Sequence, residues 1–249
     1  MIGFKISAAS RVGCVRETNE DMILTDDCFL RDDKLETNVE ISQVDRYLIA
    51  LADGMGGHNS GDVASSDALH SLQFFFNDMP VGLKPGDFNE KICEWLSSIN
   101  YTMESKGRSD QRCYGMGTTL VALAYYGKEF YWMNCGDSRL YRVHDGVLKQ
   151  VSSDHSLSNL LGSSQHSNVI TNCIGGGCKS SYIDLVQCTA DVQPGDKFLL
   201  CSDGLSDMLA DNVIEQMLND GYDAEALCHA AEEAGGFDNV SAIVITVGH

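Results

Sequence analysis

Two apolar runs in this chain stop on the same dipeptide. Tyr47 to Ala52 leads directly into Asp53-Gly54, and Phe198 to Cys201 leads through Ser202 into Asp203-Gly204. A short, almost wholly apolar run that halts at Asp-Gly reads as a buried strand delivering a carboxylate to the rim of a sheet. Two more aspartates, Asp21 in "RETNEDM" and Asp238 in "GGFDNVS", stand in turn-like segments towards the two ends of the chain. Taken singly, each acid has a plain reading as a turn former or a solvated loop charge. Their recurrence at sheet-edge turns favours one shared site. Carboxylates gathered with no Cys or His at ligand spacing make an all-oxygen centre suited to hard cations such as Mg²⁺ or Mn²⁺.

The pattern between these points is that of a layered α+β chain. Phe4 to Ser10 alternates like a strand, and Met22 to Leu30 reads as another. Arg31 to Arg46 is polar and acidic, and reads as a hairpin tip or loop. Ala64, Ala68, Leu72, Phe75, Phe76 and Met79 recur at helical spacing, as do Ile92, Trp95, Leu96, Ile99 and Met103. Four strand-like segments follow as a meander turned at Gly127 and at Gly136-Asp137. Residues 153–180, rich in Gly, Ser and Asn, read as a mobile flap. Strands are expected at Tyr182 to Cys188 and in "NVSAIVITVG". Helices are expected near Val213 to Leu218 and Ala224 to Ala234, with Asp211 and Asp223 as their N-caps. No composition break or repeat divides the 249 residues, so one domain over 1–249 is expected.

Charge and cysteine usage narrow the function. A net charge of −19, from 36 acidic and 17 basic residues, repels nucleic acid and anionic lipid. An anionic substrate must then be drawn in by local groups. No apolar run approaches the ~18 residues of a membrane span. The first residues, "MIGFKISAAS", offer neither a basic leader nor an apolar core, so no signal peptide is expected. The ten cysteines include no CxxC pair; the nearest, Cys173 and Cys178, are five apart. Cys135, Cys188 and Cys201 lie in apolar runs, where a thiol packs as a small hydrophobe. Reduced thiols, a cytoplasmic location and a stand-alone monomer follow as expectations. The Asn-X-Ser/Thr triplets at Asn100 and Asn239 are then chance matches.

Other residues can serve the carboxylates. Gly54 can lend a carbonyl oxygen to a metal. Arg16 offers a planar donor fork that fits a phosphate, or is a plain surface arginine. Asp137 in "NCGDSRL" is a hairpin-turn residue or an outer metal ligand. His58 is a proton-donor candidate or a surface histidine, and His155 in "SSDHSL" organises the base of the flap. "GGGCKS" lacks the Gly-Lys pairing of a phosphate-binding loop, and neither GxSxG nor HExxH occurs.

In order along the chain, "GCVRETNED", "LADGMGGH", "GMGTTLVAL", "CGDSRLYR", "SSDHSL", "LLCSDGLSD" and "GGFDNVSAIVI" resemble the protein phosphatase 2C family, the metal-dependent serine/threonine phosphatases, in their short bacterial form. The resemblance implies a four-layer α-β-β-α sandwich of two antiparallel sheets, with a dinuclear Mn²⁺ or Mg²⁺ site at one end. It implies that Asp53 bridges both ions, that the Gly54 carbonyl binds one, and that Asp203 and Asp238 bind the other. Asp21 would act largely through metal-bound water, Asp137 would hold a third ion with Asp203, Arg16 would grip phosphate and His58 would assist protonation. The segment between Asp21 and Asp53 looks longer than in compact members of the family, and the flap after His155 looks shorter.

The expected reaction is hydrolysis of phosphoserine and phosphothreonine in proteins, reversing a cognate Ser/Thr kinase. Two ions about 3.5–4 Å apart would ready a bridging hydroxide for in-line attack on phosphorus. Two alternatives use the same fold: a non-catalytic phosphoprotein-binding module, and a small-molecule phosphohydrolase. The first is disfavoured because all four carboxylates are present.

Overall fold

The computed structural model describes residues 2–56, 60–162, 169–178 and 180–248. The chain begins with β1 (Gly3–Arg11), then β2 (Asp21–Thr25) and β3 (Cys28–Leu30), a hairpin turned at Asp26 and Asp27. β4 (Lys34–Glu40) and β5 (Arg46–Met55) precede two long helices, α1 (Gly61–Asp78) and α2 (Pro85–Ser109). Next come β6 (Gly117–Thr118), β7 (Leu120–Tyr126), β8 (Glu129–Cys135), β9 (Arg139–His144) and β10 (Val147–Gln150). The short α3 (Leu157–Leu160), β11 (Ile174–Gly175), β12 (Asp184–Gln187) and β13 (Lys197–Cys201) follow. The chain closes with α4 (Asp203–Ser206), α5 (Asp211–Asn219), α6 (Ala224–Glu233) and β14 (Val240–Val247).

Among the described residues these strands form two antiparallel sheets. The first runs β10-β9-β13-β14-β1-β4. The second runs β12-β8-β7-β5-β2-β3, with β6 continuing the β7 edge of β5 and carrying β11. The period-two pattern of the strands explains the stacking. On β5, Tyr47, Ile49 and Leu51 point into the core between the sheets, while Leu48, Ala50 and Ala52 face α1 and α2. On β13, Phe198 and Leu200 share that middle core, and Leu199 and Cys201 face α5 and α6. Strands buried on both faces must be apolar throughout, which is why these runs show no alternation. The result is the expected α-β-β-α sandwich.

Several expectations need correction. The polar 31–46 segment is neither a tip nor a loop, because β4 pairs along β1 from Gly3↔Glu40 to Ala9↔Lys34. Leu35, Thr37 and Val39 are half-buried while their neighbours face solvent, so charges blunt an edge strand and conceal its period. Gly136-Asp137 is not a hairpin turn: β8 lies in the second sheet and β9 in the first, so this pair carries the chain across. Asp223 caps α6, accepting from Ala226 N at 2.8 Å. Asp211 is instead the first residue of α5, and its carboxylate accepts from the Tyr141 hydroxyl at 3.0 Å. Of the 153–180 segment expected as a flap, residues 163–168 and 179 lie outside the described residues, and the rest holds α3, β11 and a bridge between Ser156 and Ile170.

Phe88 anchors the outer helical layer. Its ring is fully buried and packs against Phe76, Tyr126 and Tyr131, with centroids at 6.5, 5.0 and 4.5 Å. Phe88→Ala should therefore cost ~3–5 kcal/mol in urea unfolding, since the cavity left behind adds to the lost burial. A loss below about 1 kcal/mol would contradict this packing.

Candidate metal centre

Both sheets send carboxylates to the same end of the sandwich. In the second sheet Asp21 and Asp53 are cross-strand partners in the β2–β5 register. In the first sheet Asp203 opens α4 just beyond β13, and Asp238 lies two residues before β14, the strand beside β13. Asp137 lies on the crossover between the sheets.

The backbone around Asp53 is fully engaged. Its N–H donates to Thr119 Oγ1 at 3.0 Å, and its carbonyl accepts from Thr119 N at 2.9 Å and Thr118 Oγ1 at 2.8 Å. The glycines after Asp53 and Asp203 answer a steric demand. A Cβ on Gly54 would stand 2.0 Å from the Gly61 carbonyl oxygen, and one on Gly204 would stand 2.0 Å from that of Asn239. Each Asp-Gly pair therefore marks a place where a second backbone segment passes against the strand end.

These acids lie close enough to act on one another electrostatically. Burial, followed by the charges of Asp21, Asp203, Asp137 and Asp238, drives the Asp53 carboxyl well above the ordinary carboxylate range. Burial raises Asp21 to about 7, with Asp203 and Asp238 adding to it and the Ser241 and Ser202 hydroxyls opposing it. Asp137 rises to about 7 through burial and then Asp203. Asp203 rises to about 6 through burial and then Asp238 and Asp207. Three buried oxygens, Oδ1 of Asp21, Asp137 and Asp203, have no hydrogen-bond partner. Buried anionic acceptors in that condition call for a cation. Among the described residues no three acidic, His or Cys side chains are closed around one ion-sized point. Two carboxylates are turned to other partners: Asp238 Oδ2 accepts from Arg16 Nη2 at 2.6 Å, and Asp21 Oδ2 from Ser202 Oγ at 2.8 Å. In donor chemistry the set fits hard divalent ions, although it is not preassembled around them.

Arg16 thus lies beside the acidic group, half-exposed and ion-paired to Asp238. His58 lies outside the described residues. His155 ties the crossover to the segment after it: Gly136 N donates to its Nδ1 at 3.1 Å, and its Nε2 meets Asp184 Oδ2 at 3.0 Å. The sequence reading missed the residues that hold these loops together. Asn239 Oδ1 accepts from Glu20 N at 2.8 Å, and its Nδ2 donates to the Val12 and Thr18 carbonyls, each at 2.9 Å. One side chain thereby fastens the Arg16 loop to the Asp238 turn. Its only local signal was an Asn-X-Ser triplet, and Ser202 had none.

Residues 28–232 match the family model described as Protein phosphatase 2C. The chain is 30% identical over 253 residues to the serine/threonine protein phosphatase PstP of Mycobacterium tuberculosis, covering 98% of this chain and 45% of that protein. It thus spans less than half the length of that relative. It is 30% identical over 258 residues to the protein phosphatase PhpP of Streptococcus pneumoniae, covering 98% of this chain and 97% of that protein. A crystal structure of the PstP catalytic domain in complex with two manganese ions superposes with a TM-score of 0.77 at 28% identity, covering all of both chains. The ordered carboxylates, the sandwich that presents them and these matches lead to one assignment: the chain belongs to the protein phosphatase 2C family.

Proposed function

We propose that this chain is a divalent-metal-dependent hydrolase of phosphoserine and phosphothreonine in proteins, opposing a Ser/Thr kinase. The observation that carries the reading is the gathering of five aspartates from both sheets beside Arg16, three of them with an unpartnered buried oxygen. Asp53, the Gly54 carbonyl, Asp203 and Asp238 would hold two Mn²⁺ or Mg²⁺ ions, with Asp21 supporting them and Asp137 serving a third. When bound, the ions would supply a nucleophilic water of lowered pKa and offset charge on the phosphoryl oxygens.

The chain's own groups do the rest. The Thr118 and Thr119 hydroxyls fix the backbone of Asp53, and Ser202 orients Asp21. The Arg16 fork would grip the phosphoryl oxygens, exchanging one carboxylate partner for the substrate. His58 is the proposed proton donor to the departing alkoxide. With a net charge of −19, peptides with basic residues around the phosphate should be preferred.

Four outcomes follow, all read with a phosphothreonine peptide except the last. Asp53→Asn or Asp203→Asn should remove most Mn²⁺-supported turnover while the circular dichroism stays native. Near wild-type rates in both would refute the site. Excess chelator should abolish activity, and faster turnover of a sugar phosphate than of the peptide would favour a small-molecule enzyme. Arg16→Ala should lower kcat/KM by ~10- to 100-fold, the loss of a charge-assisted bond of about 1.5–3 kcal/mol. The last outcome concerns stability. The folded-state pKa values of Asp21, Asp137 and Asp203 lie above the unfolded value of about 3.9. The folded state therefore binds protons more tightly, and this contribution to stability, complete below about 4, is lost as pH rises from there through about 6 to 7. In chelator the melting temperature should fall across that window, and Mn²⁺ should reverse the fall. A metal-free melting temperature that rises there would contradict the arrangement.

A further inference from the structure

The segment after α3 contains a chemical feature that phosphate-ester hydrolysis does not use. Cys173 and Cys178 flank the turn Gly175-Gly176-Gly177, whose three φ angles are 71°, 60° and 76°. That left-handed curl folds the segment back on itself, and Cys178 N donates to the Gly175 carbonyl at 2.9 Å. The curl gathers the two side chains into one small space: Cys173 Sγ donates to the Gly175 carbonyl at 3.6 Å, Cys178 Sγ donates to the Thr171 carbonyl at 3.9 Å, and each thiol lies within electrostatic reach of the other. The Cys173 thiol also lies under the turn, where a Cβ on Gly176 would come within 2.7 Å of its Sγ. The rest of the turn is held from outside. Asn100 Oδ1 on α2 accepts from Gly175 N at 2.7 Å and from Ser181 Oγ at 3.3 Å.

The two thiols differ in access. Cys173 is buried, whereas Cys178 is part-exposed and lines a cleft of about 930 Å³ between α2 and the turn, alongside Tyr101 and Tyr114. The cleft is large enough to admit a small oxidant to one thiol while the other waits beneath. The exposed cysteines Cys14, Cys28 and Cys93 lie elsewhere, on the Arg16 loop, β3 and α2.

We propose that Cys173 and Cys178 are a redox modification site, a vicinal dithiol that a peroxide entering the cleft converts to a reversible disulfide. The Cys178 thiolate attacks one peroxide oxygen and breaks the O–O bond, giving a sulfenic acid and, after protonation, water. Cys173 then attacks the sulfenic sulfur, its thiol proton leaves with the departing hydroxide as a second water, and the S–S bond closes. Two thiols lose two electrons and two protons, and the peroxide is reduced to two waters. A dithiol reductant reverses the step by exchange. The position gives the cross-link reach: β11 is bonded to β6, and β6 to β5 at Gly54 and Met55, the strand end of the candidate metal centre.

The test needs no activity measurement and so stands apart from the proposed hydrolysis. Trypsin releases residues 150–179 as one peptide whose only cysteines are Cys173 and Cys178. The reduced, folded full chain would be treated with hydrogen peroxide near stoichiometry, quenched with an alkylating agent and digested without reductant. The expected product is that peptide lighter by two hydrogens and free of alkyl label, returning to double alkylation after dithiothreitol. In Cys178→Ser the loss should vanish, and Cys173 should not pair with any other cysteine. Double alkylation after peroxide, a stable sulfinic acid at Cys178, or pairing of either residue with Cys135 would each overturn the proposal. So would persistence of the two-hydrogen loss in Cys178→Ser.

Discussion

Like charges packed into low dielectric are the constraint on which this architecture depends. Five aspartates meet at one end of the sandwich, and burial and mutual repulsion push four of them upward in pKa. Such a group persists only if the surrounding structure holds it in place. The scaffold supplies that hold. β5 and β13 are apolar on both faces and cannot shift register without exposing core. Gly54 and Gly204 let neighbouring backbone pass against the strand ends. Asn239, Thr119 and Ser202 then fasten the loops and carboxylates individually.

The parts of this arrangement that were legible in the sequence are local. The two Asp-Gly strand ends announced themselves through run length and a sharp stop, and both long helices through their spacing. The chain's edge was not legible: β4 exposes every second residue, and its charges outweigh Leu35, Thr37 and Val39. Nor was the route of the chain at Gly136-Asp137. A turn has the same local chemistry whether it returns a strand to its own sheet or sends it to the facing one.

Long-range partnerships were the least visible. Ser202 meets Asp21 across 181 positions, and Asn239 meets Glu20 across 219. Neither pairing leaves a mark on its neighbours in sequence. The two Asn-X-Ser/Thr triplets, at Asn100 and Asn239, show the same limit. Both asparagines serve as side-chain clasps between segments that lie far apart along the chain. Family resemblance supplied what local pattern could not, because the order of the motifs carries the topology with it.

The crossover at Gly136-Asp137 carries a mechanical implication. Asp21 and Asp53 ride on one sheet and Asp203 and Asp238 on the other, with Asp137 on the strap between them. Any cation gripping both pairs would act as a rivet through the seam, tightening only when the two slabs are in correct alignment. Affinity for the ion would then gauge how well the slabs are seated, and a packing flaw deep in the middle layer, around Phe130 or Leu140, would register as loosened ion binding at the rim.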